Sequence, residues 1–325
     1  MTSAETLGLA PLVGDLERVE ARLLASVRHD DRFLAEVGAH LITAGGKRIR
    51  PTLTLCAAYA AQGLGAPAHA DVVTGAAACE LVHLGSLHHD DVIDEAETRR
   101  GVPSVNARWS NIVAILSGDF LLARASSLAA SLGADVAALL ADTIGELCRG
   151  QVLELQHLFD VTRSEEDYTS AIEGKTASLF ATSCRVGGMV SQVDEPTLDA
   201  LTRYGHHLGL CFQIIDDVLD LTADDETLGK PAGQDLVEGI YTLPVIYALA
   251  EDATLADCLG GPLDTERRDE VRRRTAATGA VDAALAIARD HATKASEALA
   301  GADRLDATVA ERLRKLVDGL VDRDR

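Results

Sequence analysis

Apolar residues recur along almost the whole chain at the spacing of one helix face, and short clusters rich in Gly, Pro and Ser interrupt this pattern. Between the interruptions the pattern predicts helices over about 71–95, 107–132, 134–158, 165–190, 196–222 and 241–250, with two or three more charged helices after 264. The sequence therefore predicts an all-α protein of ten or more helices.

The interruptions also bear on domain organisation. None is long enough to be an interdomain linker, and no short period repeats. We therefore expect one domain over residues 1–325, with a more charged helical part from about 264. Composition agrees with the helical prediction, because only 3% of residues are aromatic while helix-forming Ala and Leu are abundant.

The net charge of −21 excludes general nucleic-acid binding, which requires a basic face. An acidic protein that binds an anionic substrate needs locally clustered Lys and Arg, or metal ions, to overcome its own field.

Cysteine usage and the absence of a signal sequence favour a cytoplasmic protein. The six cysteines (56, 79, 148, 184, 211 and 258) are far apart, without a CxxC motif, and we expect reduced core residues. The N-terminus lacks signal-peptide architecture, and no run of about 18 uncharged apolar residues predicts membrane insertion.

Two aspartate clusters, HHDDVID at 88–94 and DDVLD at 216–220, each place Asp at i, i+1 and i+4 within an apolar helix. Helical spacing aligns each set with further polar side chains on one face. Buried carboxylates are costly unless cations neutralise them, and Mg²⁺ favours carboxylates, water and phosphate oxygens. His88 and His89 could suggest a transition metal, but no Cys/His ligand set accompanies them. The first stripe comprises Glu80, His83, Leu87, Asp90, Asp91 and Asp94; the second comprises Gln213, Asp216, Asp217 and Asp220.

Basic residues recur beside glycines, where backbone can approach a phosphate closely. They are Lys47, Arg48 and Arg50 in GGKRIRP, Arg99 and Arg100 in TRRG, Lys175 in GKTASLF, and Lys230 in LGKPAG. Together with two metal clusters they predict a pocket for two polyanions, one bridged to the carboxylates through Mg²⁺ and the other resting on basic side chains.

From about residue 35 to 250 the chain resembles the trans-isoprenyl diphosphate synthase, or polyprenyl synthetase, family. The matching stretches, in the family's order, are GGKRIRP, ELVHLGSLHHDDVIDEAETRRGVPSVN, GDFLLARA, GKTASLF, FQIIDDVLD and GKPAGQDLVEGIYTLP. The resemblance implies an isoprenoid-synthase-type helical bundle around a deep central cavity, usually as a homodimer. Its expected reaction condenses isopentenyl diphosphate head-to-tail with an allylic diphosphate.

The resemblance also implies roles for matching residues. Three Mg²⁺ ions would be held by Asp90, Asp94 and nearby Asp91, and by Asp216 supported by Asp217 and Asp220. The allylic diphosphate would bind Arg99, Lys175 and Lys230, and isopentenyl diphosphate would bind Lys47, Arg50, His83 and Arg100. Thr176, Gln213 and the carbonyl of Lys175 would supply oxygen dipoles to a carbocation, so no protein nucleophile is required.

Product length is predicted from the helix preceding Asp90. The fifth and fourth residues before it, Gly85 and Ser86, are small where the family uses bulky aromatics to stop short products. We therefore expect a medium or long product, about C30 to C50, unless a deeper bulky side chain such as Phe120 or Leu121 intervenes. Ile240 stands where many relatives have Lys, which puts one cation of the allylic site in doubt.

Other functions compete with this interpretation. The first alternative is a short-chain farnesyl or geranylgeranyl diphosphate synthase. A class I terpene cyclase would leave GGKRIRP unexplained, and an HD-type phosphohydrolase using His89 and Asp90 would leave the second cluster unused. A regulatory subunit would be expected to lose one Asp cluster.

Overall fold

The computed structural model describes residues 7–223, 232–302 and 304–322. Within these residues it contains helices and one two-stranded hairpin. The helices are α1 Leu12–Ser26, α2 Arg32–Thr43, α3 Ile49–Gln62, α4 Ala70–Ile93, α5 Val105–Arg108, α6 Asn111–Leu132, α7 Ala134–Gln156, α8 Glu165–Ile172, α9 Ser178–Val190, α10 Glu195–Thr222, α11 Gln234–Glu238, α12 Leu243–Glu251, α13 Thr265–Ala276, α14 Ala280–Ala300 and α15 Ala307–Val321. A π-helical turn, Glu173–Ala177, joins α8 to α9; a 3₁₀ helix, Ala253–Cys258, follows α12; and strands β1 Thr98–Arg99 and β2 Val102–Pro103 form the hairpin.

The predicted all-α class is confirmed. The helices expected from the apolar periodicity are present with ends displaced by a few residues, except that the one predicted over 165–190 is divided by a π-helical turn into α8 and α9. Three helices follow residue 264. Helices α1 to α3 lie outside the ranges that the periodicity delimited.

The chain forms two compact units. The first comprises Met1–Ile144, Leu179–Gly205 and Ala298–Leu313, and the second comprises Gly145–Ser178, His206–Glu297 and Arg314–Arg325. Helices α7, α10, α14 and α15 contribute residues to both.

The first unit is built around α4, which packs extensively against α6. Most of α4 is buried around its whole circumference, from Val72 to Leu84, as expected for a helix in the centre of a core. The face of α6 that is buried carries small residues, among them Ala114, Ser117 and Gly118. Small side chains permit a close approach of the two helix backbones, which fixes the position of the first aspartate cluster at the end of α4.

The second unit has its own apolar core around the C-terminal end of α10. Leu221 packs there with Tyr241 and Val245 of the segment around α12, and with Leu255 and Val271. Arg272 adds polar anchors, donating from Nε to the carbonyl of Leu221 at 2.8 Å. This packing holds the helix end that carries the second aspartate cluster.

The six cysteines are unpaired, as predicted. Four of them are buried, but Cys148 is exposed and Cys258 is half-buried, so the expectation that all six are core residues is wrong for these two. Cys148 lies on the exposed side of helix α7.

One helix of the described chain, α6, is long and apolar enough to cross a membrane by length and composition alone. It carries Asp119 and Arg124 within its span, so the prediction of no long uncharged apolar run holds.

Candidate active site

Both aspartate clusters lie at the C-terminal ends of helices. Asp90 and Asp91 are in the last turn of α4, with Asp94 directly after it, and Asp216 and Asp220 are in the last two turns of α10. A helix C-terminus carries partial negative charge, so carboxylates there are unfavourable unless cations neutralise them. The location of both clusters therefore favours cation binding more strongly than their composition alone.

The middle carboxylate of the first cluster is used inside the protein. Asp91 is fully buried and its Oδ1 accepts a hydrogen bond from Nε of Arg99 at 2.6 Å. Burial raises the pKa of Asp91, and Arg99 opposes that shift. Asp90 and Asp94 are half-buried and therefore more accessible than Asp91.

The hairpin β1–β2 explains how two successive arginines serve different partners. Its turn residues Arg100 and Gly101 both have positive φ, 56° and 76°, as a tight two-residue hairpin turn requires. Arg99, on the strand, reaches Asp91, while Arg100 reaches Glu80 of α4 at 3.7 Å.

The first unit brings together three of the four residues predicted to hold isopentenyl diphosphate. Burial lowers the pKa of His83 well below its usual value, and Arg50 and Arg100 are the next causes, so the imidazole is neutral and lies among cations. Arg50 stacks on the ring of Phe180, 5.1 Å from its centroid. Lys47 is exposed, three residues before Arg50 in the loop that leads into α3.

Glycine in this loop makes room for an arginine rather than for a phosphate alone. Gly46 has φ +140°, and a Cβ there would lie 2.8 Å from Cζ of Arg100. The carbonyl of Gly45 accepts hydrogen bonds from both Arg48 and Arg100. The glycine pair therefore packs the cationic side chains against the loop.

Sequence reasoning noticed Arg48 and Glu80 but assigned neither to the site. Both are buried, and Nη1 of Arg48 donates to Oε1 of Glu80 at 2.9 Å. The available signal was the position of Glu80 three residues before His83 on an apolar helix.

The middle carboxylate of the second cluster, in the second unit, is also buried, but here the third carboxylate is buried as well. Asp216 is exposed, whereas Asp217 and Asp220 are buried. Both oxygens of Asp217 have protein partners: Oδ2 accepts from the hydroxyl of Tyr168 at 2.6 Å, and Oδ1 from Nε2 of Gln213 at 2.7 Å. Burial raises the pKa of Asp217 despite these two donors.

The residues predicted to face a carbocation form one hydrogen-bonded chain with Asp217. Thr176 donates from Oγ1 to Oε1 of Gln213 at 2.6 Å, and Gln213 donates on to Asp217. Lys175 contacts the carboxylate of Glu154, a residue that sequence reasoning had not placed in the site. The structure therefore brings Lys175, Thr176 and Gln213 together within the second unit.

The π-helical turn Glu173–Ala177 sets this local arrangement. It packs against α7 so closely that a Cβ on Gly150 would lie 2.6 Å from the carbonyl oxygen of Ala171 and 2.8 Å from the carbonyl carbon of Gly174. Single π turns inside helices are frequent at functional sites. The turn shifts the register at which Lys175 and Thr176 leave the helix.

The two chain-length residues have different environments. Gly85 is buried where α4 crosses α6, and a Cβ there would lie 3.1 Å from both the carbonyl oxygen of Gly118 and Leu122. Ser86 is half-buried and donates to the carbonyl of His83 at 2.9 Å. The small size of Gly85 is thus explained by helix packing. Phe120 packs on Gly38 and His29 of the first unit, and Leu121 is fully buried in α6.

Lys230 and Ile240 follow the second aspartate cluster along the chain. Lys230 lies outside the described residues. Ile240, at the position where a lysine was expected, is half-buried and its N–H donates to the carbonyl of Asp235 at 2.8 Å.

The described residues contain no group of three or more His, Cys, Asp or Glu side chains arranged to hold a metal ion. Mg²⁺ takes one or two protein carboxylates and completes its shell with water and phosphate oxygens, so it does not require such a group. Asp90, Asp94 and Asp216 fit such ions, because their carboxylates are the accessible ones beside the buried Asp91 and Asp217.

Comparison with protein families gives a match to the polyprenyl synthetase family over residues 31–278. The chain is 41% identical over 253 residues to nonaprenyl diphosphate synthase of Mycobacterium tuberculosis, covering 77% of this chain and 75% of that protein. It is 40% identical over 294 residues to heptaprenyl diphosphate synthase component 2 of Geobacillus stearothermophilus, covering 89% and 90%.

Solved structures resemble the chain over nearly its whole length. A polyprenyl synthase from Caulobacter crescentus CB15, complexed with calcium and isoprenyl diphosphate, superposes with a TM-score of 0.90 at 34% identity, covering 99% of this chain and 98% of that one. A geranylgeranyl pyrophosphate synthase from Corynebacterium glutamicum, in complex with the same ligands, gives 0.84 at 40% identity, covering 97% and 96%.

An all-α fold with two helix-terminal aspartate clusters and a separate arginine site defines the isoprenoid-synthase class. The chain belongs to the polyprenyl synthetase family, and it is a prenyltransferase. The predicted function, a medium- to long-chain polyprenyl diphosphate synthase, is confirmed at the level of the family and its similar relatives.

Proposed function

We propose that the protein condenses isopentenyl diphosphate with an allylic diphosphate, in a Mg²⁺-dependent reaction, to give a trans-polyprenyl diphosphate of medium or long chain. The observation that carries this proposal is the pairing of two chemistries. Accessible carboxylates sit at two helix C-termini, and a separate cluster of arginines surrounds the neutral His83. The first chemistry suits a metal-bound diphosphate and the second a diphosphate bound without metal.

Asp90, Asp94 and Asp216 would hold the magnesium ions, and we expect three such ions in the full complex. Bound Mg²⁺ would supply charge neutralisation to the departing diphosphate. Arg99 and Lys175 add fixed positive charge on the allylic side, together with Lys230, which lies outside the described residues. The proposal treats residues 1–325 as one polyprenyl synthetase domain, which the family match over residues 31–278 supports.

The chain's own polar groups would stabilise the allylic cation. The hydroxyl of Thr176 donates a hydrogen bond to Gln213, which leaves the lone pairs on Oγ1 available to face positive charge. Gln213 is in turn oriented by Asp217. Such preorganised dipoles stabilise charge that develops in the transition state without reorganising. The isopentenyl double bond would be the nucleophile, so no protein nucleophile takes part. The proton lost after condensation would pass to the released diphosphate.

An analysis of product chain lengths tests this proposed function. Purified protein is incubated with Mg²⁺, radiolabelled isopentenyl diphosphate and C5, C10, C15 or C20 allylic primers, and products are resolved by chain length. We expect products of about C30 to C50, and none with EDTA present. Arrest at C15 or C20 would favour the alternative of a short-chain synthase. The geranylgeranyl pyrophosphate synthase named above belongs by its name to that short-chain class. Hydrocarbon released from the allylic substrate alone would indicate a cyclase.

We also propose that the active form is a homodimer. Helix α6 exposes an apolar face, with Ile112 71%, Leu116 60% and Ile115 45% exposed. A row of large exposed apolar side chains on one helix is typical of an interaction surface. The alternative is a second, different subunit, because one relative is named as a component of its synthase. The unpaired cysteines support a cytoplasmic location.

A further inference from the structure

One buried carboxylate lies at the centre of the arginine cluster of the first unit. Glu80 is 1% exposed, and its Oε1 contacts Nη1 of Arg48 at 2.9 Å and Nη2 of Arg100 at 3.7 Å. Its Oε2 is buried and has no hydrogen-bond partner among the described residues. A buried carboxylate is costly to maintain, so its retention beside an anion site requires an explanation.

Arg48 cannot be a ligand for a diphosphate, because all five of its guanidinium N–H groups already have protein acceptors. Nε and Nη2 donate to the carboxylate of Glu20, Nη1 to Glu80 and to the carbonyl of Gly45, and Nη2 also to the carbonyl of Ile42. Its backbone is left-handed, with φ 48°, directly before α3 begins. Arg48 therefore ties α4 to the loop that carries Lys47 and to the first turn of α3, which carries Arg50.

Arg100 is held by the loop before α3 and by Glu80 of α4. Its Nη1 donates to the carbonyls of Leu41 and Gly45, and its guanidinium packs on Gly46. Glu80 is the charged partner that reaches Arg100 from α4. The direction of this side chain is thus determined jointly by the loop and by Glu80.

Arg50 keeps donors for a ligand. Its Nε is buried without a partner in the described part of the chain, and its guanidinium stacks on Phe180. Burial lowers its pKa to about 10, and among neighbouring charges Glu80 is the first that raises the pKa and Arg100 the first that lowers it. Glu80 therefore offsets the repulsion between two cations that must lie close together.

We propose that Glu80, anchored by Arg48, is a positioning residue that sets the spacing of Arg50 and Arg100 for one diphosphate bound without metal. This inference rests on the proposed function, since it assigns that diphosphate to isopentenyl diphosphate. Glu80 touches neither substrate nor reacting atoms in this arrangement. It acts through the two arginines.

The test is the kinetics of Glu80→Gln. The amide preserves the shape and one acceptor oxygen but removes the negative charge, so Arg100 and Arg50 repel each other. We expect the KM for isopentenyl diphosphate to rise about tenfold or more, as is typical when the partner that orients a ligand is lost, with KM for the allylic primer and kcat nearly unchanged. Arg48→Lys, which keeps a charge but loses the planar fork, should produce the same selective rise.

Asp15→Asn is the matched control. Asp15 is a buried carboxylate of the same unit, 1% exposed, which accepts hydrogen bonds from the hydroxyl of Tyr59 and the N–H of Ala68. It should lower thermal stability without changing either KM. If the effects came from a general loss of packing, the KM values of all three variants would change alike.

Two results would overturn the inference. An unchanged KM for isopentenyl diphosphate in Glu80→Gln and Arg48→Lys would make the network purely structural. A lower KM for isopentenyl diphosphate would show that the negative charge of Glu80 only repels the diphosphate. Calorimetric titration of inorganic pyrophosphate in EDTA gives a second readout, in which both variants should bind more weakly than wild type. If the wild-type protein forms no prenyl product at all, the proposed function fails, whatever the pyrophosphate titration shows.

Discussion

At the scale of single residues, neighbouring side chains of the same type have different environments. In each aspartate cluster the middle carboxylate, Asp91 or Asp217, is buried and bound to protein donors, while Asp90 and Asp216 are more accessible. Adjacent residues on a helix point about 100° apart, so one can face a ligand while the next faces the core. The pattern DDxxD therefore combines ligands with residues that orient other groups.

Asp216→Asn and Asp217→Asn should have different consequences. Asp216→Asn is expected to raise the Mg²⁺ concentration needed for half-maximal rate, because an exposed candidate ligand is lost. Asp217→Asn should leave that requirement unchanged and lower kcat about 10- to 100-fold, because the amide keeps one acceptor oxygen for the two donors Gln213 and Tyr168. Metal titrations of the initial rate measure both. The same shift in Mg²⁺ requirement for the two variants would support the direct role for Asp217 that the sequence predicted.

His88 should make stability depend on pH. It is fully buried, with Nδ1 2.7 Å from the hydroxyl of Ser117, and burial lowers its pKa to about 3. Between about pH 3 and the unfolded value near 6.5 the unfolded chain therefore binds the proton and the folded chain does not. Stability from this group is complete above 6.5 and is lost as pH falls, by about 2 kcal/mol at pH 5.

Denaturant unfolding of wild type and His88→Asn between pH 5 and 7 checks this expectation. The variant should show a shallower fall in the free energy of unfolding on acidification. His69→Asn, at an exposed position, is the control and should follow wild type. If the free energy of unfolding fell equally with pH in all three proteins, His88 would not be the source of the pH dependence.

At the scale of elements, function depends on two close helix approaches. One is the contact between α7 and the π-helical turn that carries Lys175 and Thr176. The other is the crossing of α4 and α6 at Gly85 and Gly118. In both places glycine lets backbones come nearer than any side chain would allow.

Gly150→Ala should displace the π-helical turn. The added Cβ would lie 2.6 Å from the carbonyl oxygen of Ala171, so the two helices must separate. We expect a loss of about 1–3 kcal/mol in the free energy of unfolding and a lower kcat. Gly145→Ala, on the same helix with nothing within 4 Å of the added Cβ, should be neutral or stabilising. Equal effects of the two substitutions would contradict the close contact.

Product length should respond to Ser86 and not to Gly85. Ser86→Phe is expected to shorten the products, as the sequence predicted. A bulky residue at Gly85 would instead collide with Gly118 and Leu122, so Gly85→Phe should lower stability before it changes products. Product analysis together with thermal unfolding separates the two effects. An unchanged product distribution in a stable Ser86→Phe protein would exclude Ser86 as a determinant.

At the scale of the whole molecule, charge and apolar surface have separate consequences. The chain carries a net charge of −21, so anionic substrates must be attracted by local groups such as the arginines around Glu80. The exposed face of α6 is the surface that the homodimer proposed above would use.

Leu116→Glu should weaken that association. Leu116 is 60% exposed in the single chain, and a buried charge at a dimer interface is unfavourable. Size-exclusion chromatography with light scattering should give a dimer for wild type and a monomer for the variant. Val13→Glu, at an exposed position of α1, should remain dimeric. A monomeric wild-type protein would refute the homodimer.

The sequence by itself determined the helical class, the family and the two aspartate clusters, because helical periodicity and short motifs are properties of neighbouring residues. It did not reveal that Asp217 orients Gln213, that Gly85 lies at a helix crossing or that Glu80 holds Arg48 and Arg100. These facts depend on which side chains are brought together from distant parts of the chain. Only tertiary packing decides such contacts, since a carboxylate looks the same in sequence whether it faces a metal, a solvent channel or a buried guanidinium.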